Sequence, residues 1–200
     1  MRHSHTLVYQ TISLPVVRPL RLAVVSDTHT TELKPEVSPV LLQALIDDQP
    51  DVMLHLGDLA FPGSLRQLEE IAPCYFVRGN RDLRNFSHAP SVITFQIGKW
   101  NFLMTHGHGT TLHYVIDKMK YGIYGYDFQR YHRLLSELGP GANVYLFGHT
   151  HIAENRWLDG KCYFNPGAAC APSGHDPHPS FGKIIIDAAD NIYTEIIPLE

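Results

Sequence analysis

Residues 20–29 read LRLAVVSDTH, a strand-length apolar run that ends on an aspartate and a histidine. Pro19 bounds the run on one side and Asp27 on the other, and its β-branched content marks a buried strand. The pattern returns downstream. Asp51–Leu56 (DVMLHL) runs into Gly57-Asp58, and Cys74–Val77 (CYFV) runs towards Gly79-Asn80-Arg81-Asp82. The segments between have helical spacing. Ser38–Asp47 opens with Ser-Pro, an N-cap and first-turn pairing, and continues with Val40, Leu41, Ala44 and Leu45. Ser64–Ile71 gathers Leu65, Leu68 and Ile71 on one side. Strand, helix, strand, helix, strand in this order predicts parallel strands joined by right-handed crossovers.

The second half changes character. Val92–Ile97 and Trp100–Thr105 flank Gly98-Lys99 and read as a hairpin. Residues from about Thr111 to Leu138 read as mostly helical, with a break near Tyr121-Gly122. Asn143–Phe147 is another buried strand. Short strands follow at Glu154–Trp157, Cys162–Asn165, Lys183–Ile186 and Tyr193–Ile197, separated by turns such as Asp159-Gly160 and Pro172–Pro179. So many strands with few helices predict an α/β fold, a four-layer αββα sandwich of two mixed β-sheets flanked by helices. One domain is expected over residues 1–200, with 1–19 as an N-terminal extension or edge strand.

Bulk properties narrow the function. The net charge of −4 and pI near 6.3 offer no basic face for duplex nucleic acid. Cys74, Cys162 and Cys170 are odd in number and lack CxxC spacing, as reduced structural thiols would be. There is no signal-peptide pattern, and no apolar stretch is long enough to span a bilayer. The expectation is a cytoplasmic protein without a membrane partner.

Five motifs sit where the strands end: Asp27-Thr28-His29, Gly57-Asp58, Gly79-Asn80-Arg81-Asp82, His106-Gly107-His108 and Gly148-His149-Thr150-His151. Sites in open α/β sheets gather at the C-terminal ends of strands. Taken singly, an Asp-x-His or Gly-Asp there is a turn or cap residue. Taken in order, each after a strand, they predict a two-metal hydrolytic site. The candidate ligands are Asp27, His29, Asp58, Asn80, His106, His149 and His151. Carboxylate, imidazole and amide oxygen suit Mn, Fe or Zn, with Ni or Co as further candidates, rather than Ca or an Fe–S cluster. The thiols lie outside the motifs, which argues against structural zinc.

In this order, and followed by Asn165-Pro166-Gly167, the motifs resemble the calcineurin-like metallophosphoesterase superfamily, in particular its small bacterial and archaeal phosphodiesterases. The likeness runs from about Leu20 to Ile186. It implies the αββα sandwich and two divalent cations, manganese first among them. Asp27, His29 and His151 would hold one, Asn80, His106 and His149 the other, and Asp58 would bridge. It also implies in-line attack on a small, nucleotide-like phosphoester by a hydroxide shared between the cations. A phosphodiester is the leading substrate class, with a phosphomonoester or phosphoprotein as the alternative. Some members of the fold serve as protein scaffolds and have lost key ligands; no ligand position is missing here.

The chain departs from the family pattern in two places. Arg81 stands where many members have histidine. Arginine stays protonated and is a poor general acid, but its planar fork suits phosphate oxygens. Arg81 is therefore read as a clamp on a substrate oxygen, with Asp82 orienting the motif histidine or Arg81 itself; the alternative is an Arg81 that points to solvent. Ala168 stands where relatives often carry serine, so that edge is read as structural. The 172–179 segment, with His175, Asp176 and His178, is read either as a loop over the site or as a solvated turn. His55 reads as core or as support for the ligands, and His108 as near the metals or facing phosphate. Tyr121, Tyr124, Tyr126 and Tyr131 are read first as packing or a homo-oligomer surface, and second as an aromatic wall for a base or aryl group.

Overall fold

The structure, a computed structural model, describes residues 7–14, 18–31, 36–109, 119, 121–122, 125–170 and 178–199. Two mixed sheets carry the architecture. The first has five strands in the order β11-β10-β2-β3-β4: β2 (Leu20–Val25), β3 (Val52–His55), β4 (Cys74–Phe76), β10 (Ser180–Ile186) and β11 (Ile192–Pro198). β2, β3 and β4 are parallel, and β10 pairs antiparallel with β2 on one side and with β11 on the other. The second has six strands in the order β1-β5-β6-β7-β9-β8: β1 (Tyr9–Thr11), β5 (Val92–Ile97), β6 (Trp100–Thr105), β7 (Val144–Leu146), β8 (Glu154–Leu158) and β9 (Lys161–Asn165). Within it β6, β7 and β9 run parallel.

The apolar runs are continuous because both faces of each sheet are covered. Along β2, Leu22 and Val24 face the second sheet, where they meet the layer formed by Ile93, Phe95, Phe102, Met104, Val144, Leu146 and Phe164. The alternate residues Ala23 and Val25 face the other way, with Met53, onto helices α1 (Pro39–Asp48) and α2 (Pro62–Glu69) through Leu41, Leu45 and Leu68. Leu103, Tyr145 and Tyr163 do the same on the second sheet against Phe128, Tyr131 and Leu135 of α3 (Phe128–Leu138). Helices, sheet, sheet, helix is the four-layer order. Each fully buried Leu or Val contributes about 1.5–3 kcal/mol, so the inter-sheet layer is the principal driving force for closing the sandwich.

Local signals set the ends of the elements. Both α1 and α2 begin with proline in the first turn, where its missing N–H costs nothing; α2 therefore starts at Pro62, ahead of the expected Ser64. α3 starts behind Asp127, whose side chain accepts from the Gln129 amide. Asp159 and Gly160 both have positive φ, as a tight turn between β8 and β9 requires. The N-terminal segment supplies β1, an edge strand parallel to β5. No helix among the described residues is long and apolar enough to cross a membrane. Residues 110–118, 120, 123–124 and 171–177 lie outside the described residues, and with them most of the first part of the helical stretch expected from about Thr111 to Leu138, together with His113, Tyr124, His175 and Asp176.

Candidate metal centre

All five motifs emerge from the C-terminal ends of parallel strands. Asp27 and His29 follow β2, Asp58 follows β3 and Asn80 follows β4; His106 follows β6, and His149 and His151 follow β7. Backbone bonds continue past the strands and stitch the loops together. The Asp27 amide donates to Gly57 O (3.0 Å), that of His29 to Asp58 O (3.1 Å), and that of Gly148 to His106 O (3.1 Å). Five candidate ligands have left-handed backbone: Asp27 (φ 54°), His29 (48°), Asp58 (56°), His149 (70°) and His151 (60°). Each such residue costs about 1–3 kcal/mol and persists only where its surroundings over-determine it, which is typical of functional sites.

The donor atoms converge in two groups. In the first, Asp27 Oδ1 lies 3.3 Å from His151 Nε2 and 3.6 Å from His29 Nε2, and the two imidazole nitrogens are 3.0 Å apart. The other carboxylate oxygen of Asp27 is tied down by the Ser26 hydroxyl (2.6 Å) and the His149 amide (3.1 Å). Asp27 Oδ1 and His29 Nδ1 are buried and have no hydrogen-bond partner among the described residues. In the second, Asp58 Oδ1 lies 3.6 Å from His106 Nε2, and Asn80 Oδ1 is 3.1 Å from the same nitrogen. Asp58 also leans to the first group, its Oδ2 4.0 Å from His29 Nδ1. Asp27, Asp58 and His106 are close enough to one another to share an ion. His149 packs its ring 5.1 Å from that of His106.

The electrostatics ask for positive charge. Burial alone would raise the pKa of Asp27, but the His151 imidazole 3.3 Å from its Oδ1 and the nearby His106 hold it well below the usual carboxylate range. Burial raises Asp58, against the pull of His106. Burial pushes His29 down to about 4, so it is neutral at pH 7 with the lone pair of one ring nitrogen to offer. His106 gives its Nδ1–H to Leu56 O (2.7 Å), which leaves Nε2 facing the Asn80 and Asp58 oxygens. A lone pair there would face other lone pairs. Burial opposes a proton on this ring, yet the charges of Asp58 and Asp27 outweigh it and raise its pKa. A divalent cation answers the same demand, and these donors fit one: hard carboxylate and amide oxygens, imidazole nitrogens, and buried atoms left without partners.

Arg81 is 61% exposed at its side chain, with Nε 3.8 Å from Asp58 Oδ2. Asp82 is placed differently from the expectation: its hydrogen bonds go to the backbone amides of Asp58, Ala60 and Gly79, not to a histidine or to Arg81. Asn165 supports the His149 loop, its Nδ2 donating to Gly148 O and Thr150 Oγ1. His55 is fully enclosed behind the site, between Thr28 and Gly57. His108 lies against the rings of His106 and His149. Tyr126 and Tyr131 stack on each other, and Tyr131 on Phe147, so these two are packing residues. Ser26, which fixes Asp27, belongs to none of the motifs; its position directly before the aspartate is the only signal it offers.

Known proteins resemble this chain over most of its length. The calcineurin-like phosphoesterase superfamily domain matches residues 20–189. A probable metallophosphoesterase of Methanothermobacter thermautotrophicus is 31% identical over 156 residues, 78% of this chain and 81% of that protein. Among solved structures, Vacuolar Protein Sorting 29 of Cryptosporidium parvum superposes with a TM-score of 0.67 at 17% identity, covering 91% of this chain and 98% of that one. A novel archaeal phosphodiesterase superposes with a TM-score of 0.54 at 19% identity, covering 89% of this chain and 100% of that one.

Proposed function

The chain belongs to the calcineurin-like phosphoesterase superfamily, and from that premise we propose that it is a two-metal phosphodiesterase acting on small, nucleotide-like phosphoesters. The observation that carries this reading is the convergence of Asp27, His29 and His151 beside Asp58, His106 and Asn80, with buried Asp27 Oδ1 and His29 Nδ1 left unpartnered. Asp27, His29 and His151 would hold one ion; Asn80, His106 and His149 would hold the other; Asp58, whose oxygens face both groups, would join them. When bound, such a pair would lower the proton affinity of water and neutralise charge on a phosphoryl group. Manganese is our first choice of metal.

The protein's own residues supply the rest. Ser26 and the His149 amide hold Asp27 in one orientation, and Leu56 O fixes the His106 tautomer so that Nε2 is the presented atom. Arg81, exposed at the rim beside Asp58, binds a phosphoryl oxygen through its guanidinium and donates no proton in the reaction. The likeness to an archaeal phosphodiesterase supports the choice of diesters. Burial pushes the Cys74 and Cys162 thiols up to about 12, so both stay protonated near neutral pH.

A protein-interaction scaffold is the second reading, favoured by the fold match to Vacuolar Protein Sorting 29. A panel of phosphodiesters and phosphomonoesters assayed with Mn separates the readings. The proposal expects kcat/KM to be higher for diesters. Equal or greater monoester turnover makes the chain a phosphomonoesterase, and no turnover by metal-loaded protein favours the scaffold.

A further inference from the structure

We propose that Asp82 is a positioning residue of the metal centre, a buried carboxylate that locks the Asp58 loop to the Asn80 loop through backbone amides. Asp82 is fully buried. Its Oδ2 accepts from the Asp58 amide (2.8 Å) and from the Gly79 amide (2.7 Å), and its Oδ1 accepts from the Ala60 amide (2.7 Å). Those donors come from two separate loops, one after β3 and one after β4, and they flank Asp58 and Asn80 directly.

The loop after β3 needs such a hold. Gly57, Asp58 and Ala60 all have positive φ, so this stretch sits in left-handed backbone that it would not keep unaided. The two loops also approach to within backbone contact, since a Cβ built on Gly79 would collide with the amide nitrogen and a carboxylate oxygen of Asp58. A return bond completes the lock: the Arg81 amide donates to Asp58 Oδ1 at 2.7 Å. Asp82 thus sets where Asp58 sits through the Asp58 main chain, while Arg81 sets how its carboxylate turns.

An asparagine cannot substitute. With its oxygen at the Oδ2 position it keeps the Asp58 and Gly79 bonds but points an NH2 at the Ala60 N–H; turned over, it loses the other two. This inference rests on the two-cation reading, and the test separates the two. Amide hydrogen exchange is followed by NMR on metal-free wild type and Asp82→Asn, and Mn binding to both is titrated by calorimetry. In wild type the Asp58, Ala60 and Gly79 amides should be protected, and in Asp82→Asn they should exchange at least about tenfold faster. The ion shared by Asp58, Asn80 and His106 should bind about 10- to 100-fold more weakly in the variant, at a temperature where circular dichroism shows it folded. Wild-type amides that exchange at open-loop rates would overturn the lock even if Asp82→Asn did not fold. A folded variant with wild-type affinity for both ions would overturn the positioning role. A wild type that binds no second ion would defeat the two-cation reading, and the exchange rates would still decide the lock.

Discussion

The Arg81 backbone amide donates to Asp58 Oδ1 at 2.7 Å while its guanidinium Nε stands 3.8 Å from Asp58 Oδ2. One residue therefore orients the carboxylate proposed to join the metals and carries the cation nearest to it on the exposed rim. Replacing the side chain removes the second role and leaves the first.

If the guanidinium clamps a phosphoryl oxygen, its loss should slow every substrate alike. Arg81→Ala is expected to lower kcat/KM for aryl and alkyl diesters by similar factors, roughly tenfold or more, as removal of a charge-assisted bond does. Arg81→His should improve the alkyl diesters, because imidazolium can deliver a proton near neutral pH. A series of diesters graded by leaving-group pKa checks both. A steeper dependence on leaving-group pKa in Arg81→Ala would show that Arg81 assists the departing oxygen instead.

Asp58 should trade stability against activity. Burial raises its folded pKa, so its contribution to stability is present at low pH and is lost as pH rises past the ordinary carboxylate range. At pH 7 the charged form is a cost in the metal-free protein. Metal-free Asp58→Asn should therefore melt at a higher temperature than metal-free wild type, while its activity with Mn falls at least ~10²-fold, comparable to removing a key electrostatic stabiliser. Scanning calorimetry with and without Mn, alongside kcat, tests the pair. Near-normal turnover by the variant would remove Asp58 from the metal site.

His55 is held neutral. The Gly57 N–H donates to its Nδ1 at 3.2 Å, its Nε2 faces Thr28 Oγ1 at 3.2 Å, and burial pushes its pKa from 6.5 down to about 4. The unfolded chain takes up this proton near pH 6.5, the folded chain only near pH 4. His55 therefore subtracts stability as pH falls through that window, by about 2 kcal/mol at pH 5, and nothing above it. Urea denaturation of metal-free wild type and His55→Gln at pH 7 and pH 5 measures the difference. Wild type should lose more between the two than His55→Gln does; equal losses would mean that His55 takes a proton in the fold.

Gly79 admits no side chain, because a Cβ there meets Asp58, whereas a Cβ on Gly122 meets nothing within 4 Å among the described residues. Gly79→Ala should cost about 3 kcal/mol or displace Asp58, and Gly122→Ala should be nearly neutral. Denaturant midpoints of the two variants decide this, and a Gly79→Ala protein as stable as wild type would show that the loops are not in contact.

The inner strands are legible in the amino-acid sequence as apolar runs because both of their faces are covered, and the motifs are legible because they fall where each run stops. β1 has no such signature: it is short, exposed, and exists through its pairing with β5. The start of α3 is hidden because Asp127 acts as a cap only once the chain behind it is extended. Asp82 reads locally as a partner for a histidine or for Arg81, because its actual role depends on two loops meeting and no local pattern records that. Histidine and aspartate enter left-handed backbone more readily than most residues, but which of them do so is set by tertiary contacts that no local pattern records.

The central claim is that the two donor groups hold two cations, and metal stoichiometry tests it most directly. The protein is stripped with chelator, reconstituted with Mn, freed of unbound metal and subjected to elemental analysis. Two Mn ions per chain are expected, with a lower ratio in Asp58→Asn. A folded wild-type protein that retains one ion or none under these conditions would contradict the claim.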